Sequence, residues 1–196
     1  MLMVFAEGNG ETMIFGRWWG RRAQAADGLY DGLMAAARTP EFYADLCVAD
    51  SVDGRLEMLM LFVGLAVRRL AAEPDGQIAA RDLSERFIAD MQRSLRDLGY
   101  DDSGLKRRVK SAAAALYGRT EAVAEALAAG DGALAEVLCR NVYGGPSPHV
   151  ERLAAHIRAY SDALWGLSVV DIAAGRLPSV PPSAISADNT SIGHLP

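Results

Sequence analysis

The stretch DGRLEMLMLFVGLAVRRL, Asp53 to Leu70, constrains this chain more than any other part of it. Between Leu56 and Val67 only Glu57 interrupts an apolar run of twelve residues. A bilayer-spanning helix needs roughly 20 mainly apolar residues, so the run is too short to span. Asp53, Arg55 and Glu57 flank it on one side, Arg68 and Arg69 on the other. A helix apolar on nearly every face is one that other helices surround. We therefore read it as the central helix of a core and not as a transmembrane segment, with its methionines as gap-fillers.

The rest of the chain supplies those surrounding helices. Helical spacing of apolar residues recurs throughout and no alternating strand pattern appears, so the expected class is all-α. The expected form is a single-domain bundle of about six to eight helices. With 196 residues and 51% apolar content, one compact domain with tails is expected: a flexible segment over 1–22, a helical domain over 23–176 and a disordered tail over 177–196. A first helix is predicted over Asp27–Arg38, ending where Thr39 precedes Pro40, and a short one from Pro40 through Leu46. Asp50 and Ser51 can cap the central helix, and AEPDGQ, Ala72 to Gln77, reads as a turn.

The next helix, Ile78 to Leu98, carries Leu83, Phe87, Met91, Leu95 and Leu98 on one face. Its other face reads as solvated charge, with Asp82 to Arg86, Asp90 to Arg93 and Arg93 to Asp97 as local pairs. Asp102 or Ser103 can cap the following helix, with Leu105, Val109, Ala112 and Leu116 inward. Gly118 is expected to break that helix, and Thr120 to cap a continuation ending at Gly130. Further helices are expected over Gly132–Val142 and from Val150 through Leu167.

Chemistry-bearing motifs are mostly missing. GNG at Gly8 to Gly10 has Met13 where a dinucleotide fingerprint needs its third glycine, and there is neither a phosphate loop nor a nucleophile elbow. Asp101-Asp102 matches only the opening of the aspartate-rich motif of helical prenyl synthases, since Leu105 and Lys106 stand where further carboxylate belongs. His149 and His156 lie two helical turns apart, too far to ligate one metal unaided, so no metal is assigned. Cys47 and Cys139 have no CxxC spacing and read as small buried hydrophobes. Asp53, Arg55 and Glu57 read as buried structural charge. Glu57 stands where the chain turns apolar and needs a partner, most simply an arginine.

Two stretches stand out electrostatically. LKRRVK, Leu105 to Lys110, holds both lysines of the chain, Lys106 and Lys110, beside Arg107 and Arg108. It sits near a helix N-terminus, where each cation opposes the macrodipole by ~0.3 to 1 kcal/mol, and no acid occurs from Ser103 to Arg119. One reading is a solvated face. The other is a docking patch for an acidic surface, ribosomal RNA or phospholipid headgroups, made of Lys106, Arg107, Arg108, Lys110 and Arg119 with Tyr117. In IFGRWWGRR, the residues Arg17, Trp18, Trp19, Arg21 and Arg22 suit a membrane interface, or else the tryptophans pack onto the domain. The N-terminal stretch lacks signal-peptide order, so the expected location is cytoplasmic, with contact at the inner face of the membrane through these residues. The formal net charge of -5 argues against wholesale nucleic-acid binding and against a DNA partner.

Taken together, several stretches resemble one family. DGR after a short loop, FIADM followed by RSLRDLG, and KRRVK leading to YGR are similar to the ubiquinol-cytochrome c chaperone family, over roughly Tyr30 to Gly144. The extra arginine and the alanine run before YGR are departures from its pattern. The resemblance implies an all-helical assembly factor of the respiratory cytochrome bc complex, without catalytic residues or a cofactor, that chaperones newly made cytochrome b or its nascent chain. It also implies a place near the ribosome, where mitochondrial members act with a small partner. The competing reading is a binder or enzyme for a small molecule such as haem or quinone, with Glu57 or His156 facing a pocket between helices.

Overall fold

The structure is a computed structural model; it describes residues 9–97, 99 and 101–182, with side chains over 22–97, 99, 101 and 104–182. Among the described residues the regular elements are all helical. In chain order they are α1 (Asn9–Ala37), α2 (Pro40–Ala44), α3 (Val52–Ala71), a 3-10 turn (Pro74–Gly76), α4 (Gln77–Asp97) and α5 (Asp102–Ala129). Then come α6 (Asp131–Leu138), a π-helical turn (Cys139–Tyr143), α7 (Val150–Trp165) and α8 (Val169–Ala173).

The apolar run became α3, and it lies inside the protein. Met58 through Ala66 are all buried, and α1, α4, α5, α7 and α8 pack around it. Its start is fixed by Ser51, whose hydroxyl accepts the Gly54 N–H at 3.1 Å. Gly54 of the DGR motif must be glycine because a Cβ there would run into the Ala49 carbonyl oxygen. Gly64 lets α5 approach equally closely, since a Cβ there would meet the Thr120 hydroxyl. No helix among the described residues is long and apolar enough to cross a membrane.

Several boundaries differ from the sequence reading. α1 begins at Asn9, so the expected boundary after residue 22 falls inside a helix; residues 1–8 lie outside the described ones. Arg22 is half-buried and grips Asp82 of α4 through two guanidinium nitrogens at 2.6 to 3.0 Å. The charged face of α4 is thus a seam to α1 rather than a solvated surface. Asp82 takes Arg22 in place of Arg86; Arg86 takes Asp27 at 2.5 Å, and the Tyr30 hydroxyl donates to Asp90 at 3.0 Å. Only Asp90 with Arg93, at 3.9 Å, follows the expected local pairing among these.

Helix α5 runs unbroken through Gly118. A helical glycine costs about 1 kcal/mol relative to alanine, which Leu116 and Val123, buried on either side of it, outweigh. Thr120 caps nothing; its hydroxyl donates to the Leu116 carbonyl one turn back. Asp101, one residue earlier than expected, caps α5 by accepting the Gly104 N–H at 2.9 Å. Cys47 is exposed, with φ at 53°, because it turns the chain between α2 and α3, and Cys139 is only partly buried; neither is the buried hydrophobe expected.

The packed chain also outlasts Leu177. Leu177 and Val180 pack on the core, and Leu177 lies where a Cβ on Gly32 would be 2.9 Å from its Cδ1. The expected tail therefore loses its first six residues to the domain, and 183–196 lie outside the described ones.

Candidate functional site

The end of α1, the first half of α3, the end of α4 and the first half of α5 face one another toward one end of the bundle. There the four helices line a half-open cleft of about 590 Å³. Its apolar lining comes from every wall: Met34 and Ala37 of α1, Leu56, Leu59 and Met60 of α3, Met91 and Leu95 of α4, Ala112 and Ala115 of α5. Met34 and Met91 stand half-buried in its walls, with Met60 buried beneath them, soft side chains that can re-pack around differently shaped apolar groups. At the mouth stands Val52, 78% exposed and also part of the lining.

The polar lining is largely paired within the protein. The Arg119 guanidinium donates to both carboxylate oxygens of Glu57 at 2.5 Å, a two-pronged bond joining α5 to α3. Asp90 is held by the Tyr30 hydroxyl and by Arg86, and burial pushes the Tyr30 hydroxyl well above its ordinary range. Arg55 donates to Asp50 at 2.6 Å and lies over the Tyr43 ring at 5.3 Å; that hydrogen bond holds the Asp50 carboxyl below the usual carboxylate range. Arg38, at the end of α1, lines the cleft and is exposed, with no acid within ion-pair distance among the described residues.

The anticipated buried charge trio is corrected by this geometry. Asp53 and Arg55 are exposed, because the first turn of α3 projects at the open end of the bundle; only Glu57, half-buried, reaches the interior side. The anticipated basic face also divides. With 3.6 residues per turn, Lys106, Lys110 and Tyr117 fall within about 40° of one another on the outer side of α5, while Arg108 and Arg119 turn toward the cleft. Lys106, Arg107 and Lys110 are exposed and Tyr117 is 71% exposed, whereas Arg119 is already neutralised by Glu57 and is no docking cation. Arg17, Trp18, Trp19 and Arg21 lie on α1, but their side chains are outside the described residues; Arg22 is tied to α4 and not available to a membrane.

His156 does not face the cleft. It is fully buried between Phe42, at 5.0 Å between ring centres, and Phe62 and Tyr160, at 6.3 Å each. Neither ring nitrogen has a hydrogen-bond partner among the described residues, and burial pushes its pKa down to about 4. It is a neutral core residue. Among the described residues no group of histidine, cysteine and acidic side chains is arranged to hold a metal.

Sequence reasoning missed Arg38, Met34, Val52 and Ser94 as site residues, since nothing local marks them. One signal was present. The DGR motif places Asp53 and Arg55 on the cleft, FIADM places Asp90 and Met91, RSLRDLG places Ser94 and Leu95, and the stretch from KRRVK to YGR places Arg108 and Arg119. Motifs scattered over the chain therefore converge on one surface.

Comparison with known proteins gives the same direction. The family model described as Ubiquinol-cytochrome C chaperone matches residues 44–179, starting later than the motifs suggest and reaching through α7 and α8. The crystal structure of the Cbp3 homolog from Brucella abortus matches with a TM-score of 0.80 and 33% identity, covering 89% of this chain and 99% of that one. Among curated proteins none matches.

Proposed function

The chain belongs to the ubiquinol-cytochrome c chaperone family, and from that premise we propose that it is an assembly chaperone of the cytochrome bc complex that holds newly made cytochrome b without acting on it chemically. The observation that carries this is the cleft. A half-open, mainly apolar surface with Met34 and Met91 in its walls suits an apolar segment that has not yet found its own partners. Its charges support holding rather than catalysis: Glu57 is locked to Arg119, and the buried His156 lies elsewhere. On the outer side of α5, Lys106, Lys110 and Tyr117 remain for an anionic surface such as the ribosome during synthesis of the client. Peripheral contact with the inner membrane through Trp18 and Trp19 would show as liposome flotation that is lost on removing residues 1–22.

The cleft volume also falls in the range of small-molecule sites, about 300 to 1,000 Å³, which keeps a quinone or haem as the second reading. Haem held through His156 does not fit, because that ring is walled off by Phe42 and Phe62. Titration of the purified protein with haem and with a short-chain quinone separates the readings: saturable binding abolished by Ala112→Trp supports the small-molecule site.

A deletion strain tests the proposal directly. It is expected to lose ubiquinol-cytochrome c reductase while keeping other respiratory complexes. Wild-type chain restores it; Ala112→Trp, which fills the cleft from a half-buried position, is expected to accumulate as a folded protein and restore less than about a tenth. Full restoration by that variant removes the cleft from the function.

A further inference from the structure

We propose that the occupant of the cleft is a helical protein segment of two to three turns whose apolar face lies on the apolar lining and whose outward flank is acidic. This rests on the chaperone reading of the same cleft and adds the chemistry of the segment that it selects. The length follows from the walls. On α3 the lining runs from Val52 to Met60, eight residues apart and therefore about 12 Å at 1.5 Å per residue, and on α5 from Arg108 to Arg119, eleven residues and about 16 Å. A helix laid in such a groove anchors through apolar residues at i, i+3, i+4 and i+7, for which Leu56, Met34 and Met91 offer half-buried apolar side chains on three walls.

The flank follows from the charge left over at the rim. Of the acids that line the cleft, Glu57 is neutralised by Arg119, and Asp90 is engaged by Arg86 and Tyr30. Asp53 stays exposed at the mouth without a described basic partner, in the first turn of α3 where the helix dipole favours it. On the positive side Arg55 is matched by Asp50. Arg38 lines the mouth, Arg107 stands exposed one turn before Ser111 of the lining, and neither has an acid within ion-pair distance among the described residues. Arg108 adds positive charge to the same wall while keeping interactions of its own. Among the lining residues four arginines, Arg38, Arg55, Arg108 and Arg119, stand against three acids, Asp53, Glu57 and Asp90. A basic helix would face Arg38 at the mouth with Arg107 on the neighbouring flank of α5, whereas an acidic flank would meet them; rim charges of this kind select partners more than they add affinity.

The test uses three fluorescent, helix-stabilised peptides with one shared apolar face and an outer flank of three Glu, three Gln or three Lys, titrated into the full-length protein and read by anisotropy. The Glu peptide is expected to bind about tenfold more tightly than the Lys peptide at low salt, with the gap closing in high salt. Arg38→Glu together with Arg107→Glu, both exposed and so free to change without unfolding, is expected to invert the order; Asp53→Asn is expected to widen it. Equal affinity for all three peptides, or an order unmoved by the double reversal, overturns the acidic flank. If none of the peptides binds while the deletion strain still lacks the reductase, the helical occupant is wrong and the chaperone reading stands; a strain with normal reductase defeats that reading itself. Displacement of the Glu peptide by an unstructured RNA oligonucleotide at lower concentration than by unlabelled peptide would assign the rim to nucleic acid instead.

Discussion

Glu57 and Arg119 show how one pair settles two questions that their sequence positions leave open. The carboxylate at the edge of an apolar run needs a cation, and the last arginine of a basic stretch needs an acid; their two hydrogen bonds answer both and join α3 to α5. Truncating Arg119 to alanine leaves a half-buried carboxylate unpaired and is expected to cost about 2 kcal/mol in urea unfolding, against less than about 0.5 for Lys106→Ala. Equal effects would mean the bond contributes nothing. His156 gives the clearest pH signature. Its pKa is about 4 in the folded protein and near 6.5 when unfolded, so between those values the unfolded chain binds more protons. Stability from keeping the ring neutral is whole above about pH 6.5 and is lost as pH falls toward 4, on the order of 3 kcal/mol. A His156→Leu variant is expected to lose stability less steeply than wild type between pH 7 and 4.5; parallel curves would show that the ring is hydrated or partnered.

At the scale of elements, periodicity exposed α3, α4, α5 and α7, because each has one face that only burial can satisfy. What it could not show is which polar faces meet each other. The charges of α4 looked solvated because their partners, Arg22 and Asp27, lie about 60 residues away on α1, and no local spacing announces them. Gly118 looked like a break for the opposite reason: the local rule was right about its preference and silent about the packing of Leu116 and Val123 that overrides it. Since nothing lies within 4 Å of a Cβ built there, Gly118→Ala is expected to stabilise the protein by about 0.5 to 1 kcal/mol, read as a higher denaturation midpoint. A lower midpoint would place a kink or a neighbour at that site.

For the molecule as a whole, the enclosure of the apolar run and the opening at one end of the bundle are two sides of one arrangement. Because α3 is covered along most of its length, the apolar surface left over collects near its start, where α1, α4 and α5 line the cleft with it. The cleft was only half legible beforehand: its motif residues were visible, but their convergence depends on the order in which helices turn back, which no single segment encodes. Placing a photo-crosslinking residue at Val52, 78% exposed at the mouth, and at Ile78, 51% exposed at the far end of α4, tests this most directly in growing cells. The account predicts that cytochrome b is captured from Val52 and not from Ile78; capture from both alike, or from Ile78 alone, would contradict it.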